Sequence, residues 1–214
     1  VGVALIARRG WTSRLAAMAL VPEARGQGVG RWAMGQLLDQ ARARGERRMV
    51  LEVIESNEPA VRLYRHSGFC LLRRLAGYKA VSPNGADPIP VEEVDIREVA
   101  RLVTAHGLPD LPWQVSGESL ALMGPPNRAY RLGDAYAVIS DPAAPQIVVR
   151  SVVVKPEGRG QGLAARLLHL LMDSHPDTRW IVPALCPEEM GGLFERVGFA
   201  RSEISQLQMA IALR

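Results

Sequence analysis

The stretch Leu20-Val21-Pro22-Glu23-Ala24-Arg25-Gly26-Gln27-Gly28-Val29-Gly30 decides how the rest of this chain is read. An apolar run over residues 15–21 leads into it, and a helical pattern leads out of it, with Val29, Ala33, Leu37 and Ala41 at every fourth position. A strand therefore enters a glycine-rich turn, and the turn opens a helix. Three glycines within residues 26–30 let the backbone adopt positive φ and present its N–H groups without side-chain obstruction. The first amides of the helix have no intrahelical acceptor, and the macrodipole adds partial positive charge there. Such a turn cradles an anion, and a pyrophosphate suits it. The stretch returns as Val154-Lys155-Pro156-Glu157-Gly158-Arg159-Gly160-Gln161-Gly162-Leu163-Ala164, so the chain contains a duplication.

Working outward, residues 1–8 read as a strand, Arg9-Gly10-Trp11 as a turn, and residues 14–21 as a second strand. The helix after the cradle runs to about Arg44, with Gly45 placed to end it. Residues 49–54 form an apolar strand broken only by Glu52, and Ser56-Asn57-Glu58-Pro59 starts a second helix, with proline in its first turn. Gly68-Phe69 stops that helix, and residues 70–81 supply one or two strands. Pro83, Asn84, Gly85, Pro88 and Pro90 mark a linker at 83–90, dividing a domain at 1–82 from one at 91–214. In the second half, residues 91–106 carry helical periodicity and 108–127 are loop-rich, with a short helix near 118–123. Strands follow at 135–140 and 146–154, then the second cradle, a helix to Asp173, a strand at 180–185, a helix at 188–197 and a last strand at 207–213. Arg25 and Arg159 lie 134 positions apart, and Tyr64 and Phe194 lie 130 apart, so the copies align with a four-residue difference between these anchors.

The composition is that of an ordinary globular protein: 214 residues, 48% apolar and 22% charged. No segment has the length and apolarity of a transmembrane helix, no signal-peptide pattern opens the chain, and Cys70 and Cys186 make no disulfide framework, which points to the cytoplasm. The net charge of +4 does not by itself indicate nucleic acid. Only Lys79 and Lys155 are lysines among 26 basic residues, an arginine bias across the whole chain. The densest run (Arg42, Arg44, Arg47, Arg48) sits where a helix C-terminus favours cations.

A dinucleotide site competes for the cradle, since Gly28-Val29-Gly30-Arg31-Trp32-Ala33 satisfies G-x-G-x-x-A and Glu52 lies at ribose distance. Against it, Pro22-Glu23-Ala24-Arg25 separates strand from glycines, and the second copy has Val182 in place of the acid. The nucleoside triphosphate loop G-x-x-x-x-G-K-[ST] is absent.

Arg25-x-x-Gly28-x-Gly30 after Leu20-Val21-Pro22 resembles the acyl-CoA signature of the GNAT superfamily of N-acetyltransferases. Leu51-Glu52-Val53, Ser56-Asn57, Ala60, Leu63-Tyr64 and Gly68-Phe69 are similar to its second half, especially in the ribosomal-protein alanine N-acetyltransferase branch. The resemblance implies an α/β protein of two tandem GNAT folds, each a mixed, mainly antiparallel splayed sheet flanked by helices. It implies acetyl-CoA as substrate, no metal, and a primary amine on a small molecule or peptide N-terminus as acceptor, attacking the thioester directly. By position, backbone groups near Leu20 and Val21 would meet the acyl and pantetheine end. Arg25, Gly26, Gln27, Gly28, Val29 and Gly30 would hold the pyrophosphate, and Asn57 would reach the pantetheine arm. Tyr64 would protonate the leaving thiolate, as a tyrosine that keeps its proton at neutral pH can. Glu52 stands where a base is proposed in that branch; its other reading is a strand-end carboxylate paired with an arginine.

The second copy keeps a cradle in Arg159, Gly160, Gln161, Gly162, Leu163 and Ala164, but has Val182, Pro187 and Phe194 for Glu52, Asn57 and Tyr64. It reads as a binding or scaffolding copy. His66 reads as a surface helix residue and Cys186 as a small buried one. Two other functions fit the tandem: a non-catalytic acyl-CoA sensor and a mycothiol-synthase-like acetyltransferase. Oligomeric state stays open. The first signature arginine has 24 residues before it, against 74 between Gly85 and Arg159, so a segment of about 50 residues bearing a strand and two helices is expected ahead of Val1, the alternative being that a partner chain or the second copy fills its place.

Overall fold

The computed structural model describes residues 1–82 and 91–213; the linker expected at 83–90 lies outside the described residues. Two compact units emerge, Val1–Leu75 with Ser205–Arg214, and Ala76–Ile204. The chain thus leaves the first unit inside one strand and re-enters it inside another.

The first unit contains β1 (Gly2–Arg9), β2 (Thr12–Leu20), α1 (Val29–Ala43), β3 (Arg48–Ile54), α2 (Glu58–His66) and the start of β4 (Cys70–Val81). Its strand order is β1-β2-β3-β10, where β10 is the final strand, Ala200–Ala212. β1 pairs antiparallel with β2, β2 pairs parallel with β3 from Thr12↔Arg48 to Leu15↔Leu51, and β10 pairs antiparallel with β3 from Gln206↔Ile54 to Ala212↔Arg48. Beyond Leu15 and Leu51 the two parallel strands continue without pairing, and the gap between them opens towards the cradle. Met34, Leu38 and Ala41 of α1 pack with Leu51, Val53, Val61, Tyr64, Phe69 and Met209 in one core. β1 stands at the end of the strand order, and Val1, Val3 and Leu5 are 81%, 56% and 56% exposed.

The second unit adds β5 (Glu92–Val94), α3 (Ile96–His106), α4 (Gly117–Leu120), β6 (Arg128–Leu132), β7 (Ala135–Ile139), β8 (Gln146–Val154), α5 (Leu163–Asp173), β9 (Arg179–Pro187) and α6 (Gly191–Arg196). The strand order is β4-β9-β8-β7-β6-β5. β7, β8, α5, β9, α6 and β10 repeat β1, β2, α1, β3, α2 and β4. Among the described residues the first unit has no counterpart of β5, α3, α4 and β6. β7, which those added elements cover, is buried throughout, whereas its counterpart β1 is largely exposed.

Two expected elements differ in extent, and one strand, β6, was not expected. Helical periodicity was expected from residue 91, but Asp95 caps the helix by accepting from the Arg97 amide at 2.8 Å, and residues 92–94 are a strand. β6 escapes a hydrophobic pattern because only Ala129 of its five residues is buried. β10 begins at Ala200 rather than 207, because its first half carries exposed Arg201, Glu203 and Ile204 and shows no apolar alternation.

The basic run is engaged within the first unit: Arg42 pairs with Asp39 at 3.1 Å, Arg44 with Glu46 at 2.7 Å, and Arg47 lies 4.9 Å over the Trp11 ring. Glu46 is buried and also accepts from Arg8 Nε at 3.1 Å. The Arg44 hydrogen bond, opposed by burial, holds its carboxyl below the ordinary value. A depressed carboxylate contributes stability that is present above its unfolded pKa and is lost as the pH falls through the folded one. Glu46→Gln is expected to destabilise the first unit by about 1–3 kcal/mol at neutral pH, and the difference from wild type to shrink at an acid pH below the lowered folded value. Urea unfolding at the two pH values checks this; an equal loss at both would assign the effect to shape rather than charge.

Candidate active site and its degenerate copy

The two cradles share their turn types, glycine conformations and bracing hydrogen bonds. In the first, Pro22–Ala24 forms a 3-10 turn, Gly26 and Gly28 take φ of +72° and +79°, and Gly28 is the N-cap of α1. In the second, Pro156–Gly158 forms the turn, Gly160 and Gly162 take +77° and +72°, and Gly162 caps α5. A side chain is strained at such φ, which explains glycine at these positions. Arg25 Nε donates to Leu20 O at 3.0 Å and Gln27 Nε2 to Glu23 O at 2.7 Å; Arg159 Nε donates to Val154 O at 3.3 Å and Gln161 Nε2 to Glu157 O at 2.9 Å. Arginine and glutamine therefore brace the loops from behind. The first intrahelical bonds are Trp32 N–H to Gly28 O and Arg166 N–H to Gly162 O, so the amides just before them point outward. No atom lies within 4 Å of where a Cβ would stand on Gly26, Gly28, Gly160 or Gly162. Open space in front of outward amides fits an anion such as a pyrophosphate.

Val21 differs from expectation: its N–H donates to Val1 O at 3.0 Å and so faces β1. Leu20, one residue earlier, turns its backbone to the opposite edge of β2, the edge that borders the gap. Gly30 brings α1 close to α2, since a Cβ there would stand 3.3 Å from a Leu63 methyl. The next residue of α2 is Tyr64, 8% exposed and edge-to-face with Phe69 at 6.0 Å. Burial raises the Tyr64 phenol above its ordinary value. Asn57 is the N-cap of α2, accepting from the Ala60 amide at 3.3 Å, which leaves its amide NH2 as the donor for other work. Glu52 on β3 receives two bonds at Oε2 from Arg14, at 2.8 Å from Nε and 2.6 Å from Nη2.

In the second unit Phe194 occupies the Tyr64 position, stacks on Tyr78 at 5.3 Å and meets Phe199 edge-to-face. The register refines one correspondence. β8 pairs with β9 at Ile147↔Trp180 where β2 pairs with β3 at Ser13↔Met49, so the residue equivalent to Glu52 is Pro183 rather than Val182. Neither residue carries a carboxylate. Pro187 sits where Asn57 caps α2. Burial first, then the Glu189 charge, pushes the Cys186 thiol up to about 12, so it is not a nucleophile. Arg159 adds a bond from Nη2 to His106 O at 2.6 Å, which ties the end of α3 to the cradle. Past the last β8·β9 pair, Val148↔Ile181, the strands diverge around a cavity of about 510 Å³. Among the described residues no group of His, Cys, Asp and Glu is arranged to hold a metal ion, and no helix is long and apolar enough to cross a membrane.

Residues 1–69 match the family model described as Acetyltransferase (GNAT) family. N-alpha-acetyltransferase 30 of Schizosaccharomyces pombe is 40% identical over 81 residues, which are 37% of this chain and 52% of the relative; the match thus spans about half of that relative's length. Among solved structures, a GCN5-related N-acetyltransferase from Sphaerobacter thermophilus superposes with a TM-score of 0.67 at 15% identity, over 99% of this chain and 76% of the other. A tandem GNAT protein from the clavulanic acid biosynthesis pathway gives 0.59 at 16% identity, over 100% and 79%. The fold is therefore the mixed α/β fold of GNAT proteins, a tandem one included.

Proposed function

We propose that this chain is an acetyl-CoA-dependent N-acetyltransferase whose chemistry resides in the first copy. The observation that carries the reading is the contrast between the copies. Their cradles share glycine φ values and turn types, yet only the first has a phenol, Tyr64 with its pKa raised by burial, at the position that Phe194 fills in the second. In this reading the amides of residues 27–30 hold the pyrophosphate of acetyl-CoA, the Leu20 backbone edge borders the acyl end, and Asn57 lends its NH2 to the pantetheine arm. The acceptor nitrogen attacks the thioester carbonyl, the new N–C bond forms and the C–S bond breaks. Tyr64 gives its proton to the departing sulfur, and the proton of the amine passes to Glu52 or to solvent. A phenol with raised pKa is suited to this step because it is fully protonated at neutral pH.

The second cradle, Arg159 to Ala164, is proposed to bind without turnover, since Phe194 has no proton to give. The order of the two signatures supports domains at 1–82 and 91–214 as the units of duplication. The similarity to an N-alpha-acetyltransferase puts peptide α-amines first among acceptors, with small primary amines second. The two free cysteines accord with a reducing cytoplasm. A coupled thiol-release assay with acetyl-CoA against peptides of varied N-terminal residue, polyamines, aminoglycosides and amino-thiol precursors tests the proposal. Amine-dependent release with an N-acetylated product is expected. Tight acetyl-CoA binding with no release for any acceptor would favour a non-catalytic sensor.

A further inference from the structure

The cavity of the second unit contains a charge that the acetyl-transfer reading does not use. β7 and β8 pair at Val138↔Ser151 and then at Ile139↔Val149, so Arg150 is the extra residue of a β-bulge. A bulge re-aims its side chain out of the regular alternation. Arg150, Val149 and Ser151 all line the cavity as a result. The corresponding bulge in the first unit, between Leu5↔Ala17 and Ile6↔Leu15, leaves Ala16 as its extra residue. Arginine at this place is thus a property of the second copy alone.

The surroundings are apolar, with Val103, Leu111, Leu185 and Leu193 among the lining residues. Arg150 Nε is buried and has no hydrogen-bond partner among the described residues. The other charged groups on the cavity are otherwise placed. Arg159 is bonded to Val154 O and His106 O, and Glu189 lies beside Cys186 on the β9–α6 side. A buried guanidinium donor without an acceptor is costly, and an anion brought by a ligand removes that cost.

We infer that this cavity is a binding site for a monocarboxylate with an apolar body, its carboxylate held by Arg150. The planar fork of a guanidinium matches a carboxylate, and a single cation in an apolar wall suits a monoanion better than a phosphate dianion. A thioester carbonyl is uncharged and leaves the guanidinium without a counter-ion, so a carboxylate suits Arg150 better than an acyl thioester does, although the cavity also borders the second cradle through Val154, Arg159 and Ala164. The cavity volume lies within the range of small-molecule sites. The inference does not depend on acetyl transfer by the first copy.

Octanoate and 1-octanol, which share a body and differ in charge, are the probes, with binding to the full chain measured by calorimetry at pH 7. Octanoate is expected to bind at one site about 10- to 100-fold more tightly than octanol, the range of a hydrogen-bonded charge. Arg150→Met, which keeps the bulk, should remove that advantage and leave octanol unchanged, and Arg150→Lys should restore part of it. Gly28→Glu, in the other unit, should leave octanoate binding intact even if acetyl-CoA binding is lost. Equal affinity of the two probes in the wild-type chain would overturn the inference without recourse to any variant. An Arg150→Met protein that still prefers octanoate would overturn it as well.

Discussion

Tyr64→Phe is expected to lower kcat for acetyl transfer by about 10²-fold or more, with KM for acetyl-CoA little changed. Phenylalanine fills the same place in the core that Phe194 fills in the second unit, so the substitution deletes a proton donor rather than a packing element. The effect is therefore confined to the step in which charge develops on sulfur. Because burial raises the Tyr64 phenol, the wild-type rate should show no descending limb from this group below about pH 10, and it should fall as the pH passes the raised value. Phe194→Tyr should add little turnover, since Pro183 and Pro187 stand where Glu52 and Asn57 do in the first copy. Steady-state kinetics across pH decides the matter; full activity in Tyr64→Phe would mean that the thiolate receives its proton elsewhere.

Gly28→Glu should abolish acetyl-CoA binding by the first copy, with a loss of affinity of about 10²-fold or more. Two mechanisms add. At φ +79° an L side chain is strained, at a cost of about 1–2 kcal/mol, and the outward amides lose their alignment. The space ahead of Gly28 holds no protein atom, so the glutamate carboxylate enters the volume proposed for the pyrophosphate and repels it. Each charge-assisted hydrogen bond lost contributes about 1.5–3 kcal/mol, and two suffice for the stated effect. Gly28→Ala separates the mechanisms, because it imposes the strain without the charge and should bind with an intermediate affinity. Calorimetric titration with acetyl-CoA and with desulfo-CoA reports both; unchanged affinity in Gly28→Glu would place the pyrophosphate elsewhere.

The amino-acid sequence by itself determined the features that depend on neighbours a few residues apart. Gly26, Gly28, Gly160 and Gly162 take positive φ, the helices open directly after Gly28 and Gly162, and Gly68 and Gly198 end α2 and α6 at the same φ of +94°. Each follows from backbone sterics and capping at a single turn, which is why a spacing of residues is enough to read it. The repeat of this spacing 134 positions later carried the duplication, and the resemblance of these motifs to the GNAT signature implied the mixed α/β fold.

Other features required strands distant in the chain to meet. The first compact unit closes with Ser205–Arg214, more than a hundred residues after β4, because β3 has an edge that β10 satisfies with seven residue pairs. No local pattern encodes that partner, since the pairing energy of a strand resides in the strand beside it. The Glu52 ion pair with Arg14 joins two strands through the parallel register, and the register also moved the Glu52 equivalent from Val182 to Pro183 by one residue. Arg150 and Ser151 read in the sequence as a polar pair within an otherwise apolar strand. Only the bulge opposite Val138 and Ile139 turns Arg150 into the cavity, because the side to which a strand residue points is set by its partner's register rather than by its own identity.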